Sequence, residues 1–217
     1  MIGRELKRIL QKPTAFVCIV VYMGIMILGV ESDLRARYEI GFLNLFWVTE
    51  NFGVTIFIQT LIFPVAAAGN YFDERKGHYD WLIQMRSGQL RYCIAKIVSA
   101  VLGGIILYMI SVILFFAVCV IFIPEVRHGS TVESITNLFQ SKECFWYRMA
   151  LSIGYYPTVI VLAFQYSLHI GIYVLLGLCV SVFCTNRYVF YAMPFLLTRI
   201  GMYIGGFVGL YAYIPYG

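Results

Sequence analysis

The chain alternates long apolar runs with short polar stretches. Four runs are clear: Thr14–Val30, Asn51–Gly69, Ile97–Ile123 and Tyr188–Ile214. A fifth lies within Pro157–Cys184, with Pro157 as a helix start and Cys184-Thr185-Asn186-Arg187 as a polar stop. At 1.5 Å per residue each run can cross about 30 Å of hydrocarbon as a helix. Ahead of the first run, Ile2, Leu6, Ile9 and Leu10 share one helical face, while Arg4, Lys7, Arg8, Gln11 and Lys12 take the rest. That pattern predicts a basic amphipathic helix lying in the membrane plane, ended by Pro13.

The runs are broken by one long charged island, Asn70–Lys96. Within it His78, Trp81, Leu82 and Met85 recur at i, i+3, i+4 and i+7, while Asp80, Gln84 and Arg86 point elsewhere. Ser87-Gly88 supplies a stop. The spacing predicts a short amphipathic helix over Gly77–Arg86, lying on the bilayer or docked into a partner protein. The Gly103-Gly104 pair of the third run predicts close helix contact. The largest polar segment, Pro124–Tyr156, carries a Phe145-Trp146-Tyr147 cluster suited to the headgroup layer.

Composition fits this picture. Hydrophobic residues make up 61% and charged residues 12%, and the mean hydropathy is +0.81. A soluble domain is about a quarter charged. The chain reads as one all-α polytopic membrane domain over residues 1–217, with about five membrane helices and no soluble domain.

Charge sets the expected orientation. Arg4, Lys7, Arg8, Lys12, Arg75, Lys76, Arg86, Arg91, Lys96 and Arg187 fall on the side of the N-terminus, and Arg35, Arg37, Arg127, Lys142 and Arg148 on the other. Glu31, Asp33, Glu39, Glu125, Glu133 and Glu143 also fall opposite the N-terminus. Ten basic residues against five place the N-terminus in the cytoplasm of a multi-pass plasma-membrane protein. The net charge of +5 then reflects orientation, not nucleic-acid binding. The first run is long and lacks an A-x-A site, so it reads as an uncleaved helix.

Catalytic signatures are missing from the sequence. It contains no Walker A sequence, no H-E-x-x-H, no G-x-S-x-G and no paired intramembrane carboxylates. Cys18, Cys93, Cys119, Cys144, Cys179 and Cys184 are scattered without CxxC or metal-ligand spacing. His78, His128 and His169 fall in different compartments. The chain reads as no enzyme, with no catalytic or metal residue and no cofactor of its own.

Polar groups within the apolar runs are costly in lipid and so are candidates for function. Arg199 is the sharpest, about twelve residues past Arg187 and near mid-depth; it pairs structurally or lines a substrate path. Gln165, Tyr166 and His169 follow in the fourth helix. Glu50 is either interfacial or an acidic partner for Arg199. All five are candidates for a substrate path.

The whole chain resembles the membrane subunit of type-2 ABC exporters. The features that carry the resemblance are the basic helix Ile2–Lys12, the segment Asp73-Glu74-Arg75-Lys76-Gly77, Trp81-Leu82, and the lead-in Arg91-Tyr92-Cys93-Ile94-Ala95-Lys96-Ile97. The resemblance implies that Gly77–Arg86 is a coupling helix docking in a cleft of a separate cytoplasmic ATPase. It places Asp73, Glu74, Gly77, His78, Trp81, Leu82, Met85 and Arg86 at that contact, with ATP and Mg on the partner. It also implies a homodimer, or a heterodimer with a related permease, in the lipid bilayer. Two departures stand out. Arg86-Ser87-Gly88 replaces the family's proline and serine, and five helices replace the usual six, from truncation or as a five-helix variant. The competing expectation is a non-transporting scaffold or immunity-type membrane protein. The aromatic content of 17% suits an amphipathic or peptide-like cargo and equally suits interfacial belts; lipid, peptide and drug all stay open as substrates.

Overall fold

A computed structural model describes residues 2–36, 42–51, 53–77, 85, 88–122, 145–184 and 186–207. Among these the elements are helices: α1 (Ile2–Leu10), α2 (Pro13–Ala36), α3 (Phe42–Asn51), α4 (Gly53–Lys76), α5 (Gln89–Phe122), α6 (Phe145–Ile153), α7 (Tyr155–Phe183) and α8 (Arg187–Phe207). Four of them are long and apolar enough to cross a membrane: Pro13–Val30, Val54–Arg75, Gln89–Phe122 and Tyr155–Phe183. The fold is that of an all-α membrane protein. The helix of the fifth expected run, α8, has 21 residues and is not among the four; its last expected positions, 208–214, lie outside the described residues.

Helix ends follow local chemistry. Asn186 caps α8, its Oδ1 accepting from the Tyr188 amide at 2.9 Å. Gly154, at φ 103°, separates α6 from α7, a backbone state that costs a side-chain-bearing residue more than glycine. Pro157 then sits in the first turn of α7, where a missing N–H costs nothing. Gly88, at φ 81°, precedes α5, and its carbonyl accepts from the Tyr92 amide at 3.1 Å.

Three boundaries differ from the sequence expectation. α2 runs on past Val30 to Ala36. α4 continues beyond Gly69 through Asp73, Glu74 and Arg75. α5 begins at Gln89 instead of Ile97, putting Arg91, Tyr92 and Lys96 on its first turns. Hydropathy marks where a helix is apolar; the backbone stays helical until a glycine or an unmet cap stops it. The expected helix Gly77–Arg86 lies outside the described residues apart from Gly77, in a turn, and Met85, which is 68% exposed.

The helices divide into two compact units. One comprises Met1–Ile19, Phe57–Tyr108 and Ser167–Gly217; the other comprises Val20–Ile56 and Met109–Tyr166. In the first, α5 meets α7 through small residues: a Cβ on Gly104 would stand 2.7 Å from Val174, and one on Gly171 would stand 3.2 Å from Val101. Gly103 accommodates Ile9 of α1 in the same way, at 3.1 Å. The close contact expected of Gly103-Gly104 is therefore present, and each glycine serves a different helix. Gly177 of α7 makes room for Pro64 of α4, at 2.8 Å. Aromatic rings join α4 to α8, with Phe72 stacked on Phe190 at 5.0 Å and Phe57 edge-on to Phe195 at 4.5 Å.

In the second unit α3 is the hub. Phe46 is fully buried and meets Phe116 of α5 at 5.6 Å and Tyr166 of α7 at 5.9 Å. Gly29 of α2 lies under Thr49, at 3.3 Å from a built Cβ. The Thr49 hydroxyl turns back to the Leu45 and Phe46 carbonyls, satisfying a buried donor that would otherwise cost about 1–3 kcal/mol.

Candidate functional site: a buried ion-pair cluster

α4 ends in Asp73-Glu74-Arg75-Lys76, and the first two acids are treated differently by the fold. Glu74 turns inward and is 4% exposed. Three donors surround its carboxylate. Lys96 Nζ donates to Oε1 at 2.9 Å and stands 2.8 Å from Oε2. The Tyr92 hydroxyl donates to Oε2 at 3.1 Å, and Arg8 Nη1 donates to Oε1. Lys96 also donates to Glu5 Oε2. The cluster therefore joins three helices, α1, α4 and α5, through two carboxylates and two cations.

Helical spacing builds it. Tyr92 and Lys96 are four apart on α5, and Glu5 and Arg8 are three apart on α1, so each pair shares a face. The Lys96 ammonium stands 5.6 Å from the centroid of the Tyr92 ring, a cation–π contact within the usual range. Buried charges are costly unless each is paired and hydrogen-bonded. Here every one has an opposite charge in contact. One turn before Glu74, Asn70 is buried and neither of its side-chain polar atoms has a hydrogen-bond partner.

Asp73 faces the surface. It stands 3.7 Å from Lys12 Nζ and accepts from Arg187 Nη2 at 3.1 Å. Arg75 donates to the Ser181 carbonyl near the end of α7, at 2.9 Å. α1, α4, α5, α7 and α8 are all tied together around the chain's charged island.

The sequence-derived contact residues thus separate. Asp73, Gly77 and Met85 are exposed, while Glu74 is committed to partners within its own chain. His78, Trp81, Leu82 and Arg86 lie outside the described residues. The substrate-path candidates fall on α3, α7 and α8. Glu50 is fully buried and accepts from the Tyr22 hydroxyl at 2.8 Å. Arg199 stands over the Phe195 ring of its own helix at 5.5 Å. Tyr166 is buried against Phe46, and Gln165 and His169 are half-buried on α7.

Sequence reading singled out neither Glu5 nor the link from α1 to Lys96. A signal was present: Glu5 is the lone acid in a basic helix, and Glu74 follows directly on an apolar run. Acids in such places need a cation, and Tyr92-x-x-x-Lys96 puts a hydroxyl and an ammonium on one face. No protein-family model matches the chain, and neither a curated protein nor a solved structure matches it significantly.

Proposed function

We propose that this chain is the membrane subunit of a type-2 ABC exporter, working as a homodimer, or as a heterodimer with a related permease, with a separate cytoplasmic ATPase that binds ATP and Mg. The observation that carries the reading is the Glu74 cluster. It ties α4 and α5, which flank residues 77–88, to each other and to α1. A push on that loop is passed to two membrane helices and the basic N-terminal helix together, because buried ion pairs resist separation. On this reading α1 lies in the membrane plane on the cytoplasmic side, α8 is the fifth crossing, and Gly77–Arg86 is the coupling helix. The ATPase contact is carried by Asp73, Gly77, His78, Trp81, Leu82, Met85 and Arg86, and Glu74 holds the base of the loop.

Affinity purification of the tagged chain in mild detergent tests this. An ATPase at one-to-one stoichiometry is expected, and Trp81→Ala should weaken its capture by about 2 kcal/mol, roughly 30-fold. The melting temperature of the chain alone should not move. Capture of no ATPase, or equal capture by the variant, overturns the assignment and favours a non-transporting scaffold.

A further inference from the structure

A groove of about 460 Å³ opens between the start of α2 and the middle of α4, closed at one edge by Tyr191 of α8. Its walls, among them Pro13, Val17, Leu61 and Val65, are apolar, and Val17 and Tyr191 remain exposed beside it. The volume is that of a small-ligand cleft. None of its walls carries a charge, so its depth fits a hydrocarbon.

One end of the groove is different. Lys12 directly precedes Pro13, and Arg187 lies one turn before Tyr191. Both cations reach the same carboxylate, Asp73, leaving one positive charge in surplus. Lys12, at 3.7 Å, is beyond hydrogen-bond reach of Asp73, so its ammonium donors are not committed to that carboxylate. The Arg187 side chain is 53% exposed and the Lys12 side chain 31%. Arg4 and Lys7 of α1 are exposed as well, adding to the positive charge on this side of the chain.

We propose that this groove binds an anionic glycerophospholipid, one acyl chain lying along Val17, Leu61 and Val65 and the phosphate drawn to the exposed donors of Lys12 and Arg187 beside Asp73. The Arg187 guanidinium and the Lys12 ammonium flank Asp73, and the donors that this single carboxylate leaves unused suit a phosphate. An anionic headgroup neutralises the positive charge that Asp73 leaves in surplus. The inference needs only that the chain sits in a bilayer and does not depend on an ATPase partner.

The test is native mass spectrometry of the full chain released from phosphatidylglycerol or phosphatidylcholine vesicles of matched chain length. The parent chain should retain one phosphatidylglycerol, with about tenfold preference over phosphatidylcholine. Lys12→Gln with Arg187→Gln should erase the preference. Val65→Trp, which fills the groove, should lower retention of both lipids; Val17→Trp serves the same purpose if the first variant does not stay monodisperse. Equal retention of the two lipids by the parent chain, or retention untouched by the tryptophan, overturns the proposal. So does a Val17→Cys chain that cross-links to a second copy beyond the level of the parent.

Discussion

Lys96 of α5 stands 2.8 Å from Glu74 of α4, both side chains are at most 6% exposed, and Glu5 of α1 and Arg8 close the charge balance around them. The apolar runs mark where the long helices lie; this pair helps determine how the beginnings and ends of three helices meet. A cluster of this kind is weak as a source of net stability and strong as a device for register, because any other alignment strands a charge.

Removing both members together should therefore cost less than the two single losses added. Lys96→Met or Glu74→Gln alone should destabilise the chain by about 3–5 kcal/mol. The double variant should lose clearly less than the sum, with a coupling of roughly 1–3 kcal/mol. Thermal unfolding of the detergent-solubilised variants, followed by the monodisperse peak on size exclusion, measures the cycle. Additivity within about 0.5 kcal/mol would show the pair to be uncoupled.

The Tyr22–Glu50 contact makes a similar claim in the second unit. Both residues are fully buried, and the hydroxyl donates to the carboxylate at 2.8 Å. Tyr22→Phe should cost about 0.5–1.5 kcal/mol, the net worth of a typical intramolecular hydrogen bond. The same melting assay reads it, and a loss under about 0.5 kcal/mol would mean that Glu50 is held chiefly by other groups.

Two glycines should respond to alanine with opposite signs. A Cβ at Gly24 meets nothing within 4 Å, so Gly24→Ala should stabilise by about 0.4–1 kcal/mol through the unfolded chain. A Cβ at Gly104 would sit 2.7 Å from Val174, and Val174 is itself fully buried. Gly104→Ala should destabilise by about 1–3 kcal/mol as overpacking, and Val174→Ala should restore part of that loss. Rising and falling melting temperatures are the expected pair of results; equal shifts would contradict the α5–α7 packing.

Much of the fold was legible beforehand. The runs beginning at Thr14, Asn51, Ile97 and Pro157 correspond to the four helices long and apolar enough to cross a membrane, since hydrocarbon demands an unbroken apolar helix. Gly103-Gly104 marked a real close approach. What failed was the assumption that a helix stops where its apolar run stops, which left Glu74, Tyr92 and Lys96 in a loop.

Sequence alone determined the class of the protein and the positions of its four helices long and apolar enough to cross a membrane, because burial in lipid acts on each helix separately and leaves its mark in local composition. The island at Asn70–Lys96 was visible for the same reason. Tertiary structure decided which way its charges face. Asp73 and Glu74 are adjacent and chemically alike, yet one stays at the surface while the other is enclosed. Successive helical residues point about 100° apart, and only the placement of α1 and α5 against α4 tells which of the two directions is inward. The cluster depends on Glu5, Arg8, Tyr92 and Lys96 arriving from up to 91 residues away, a coincidence in space that no local pattern records.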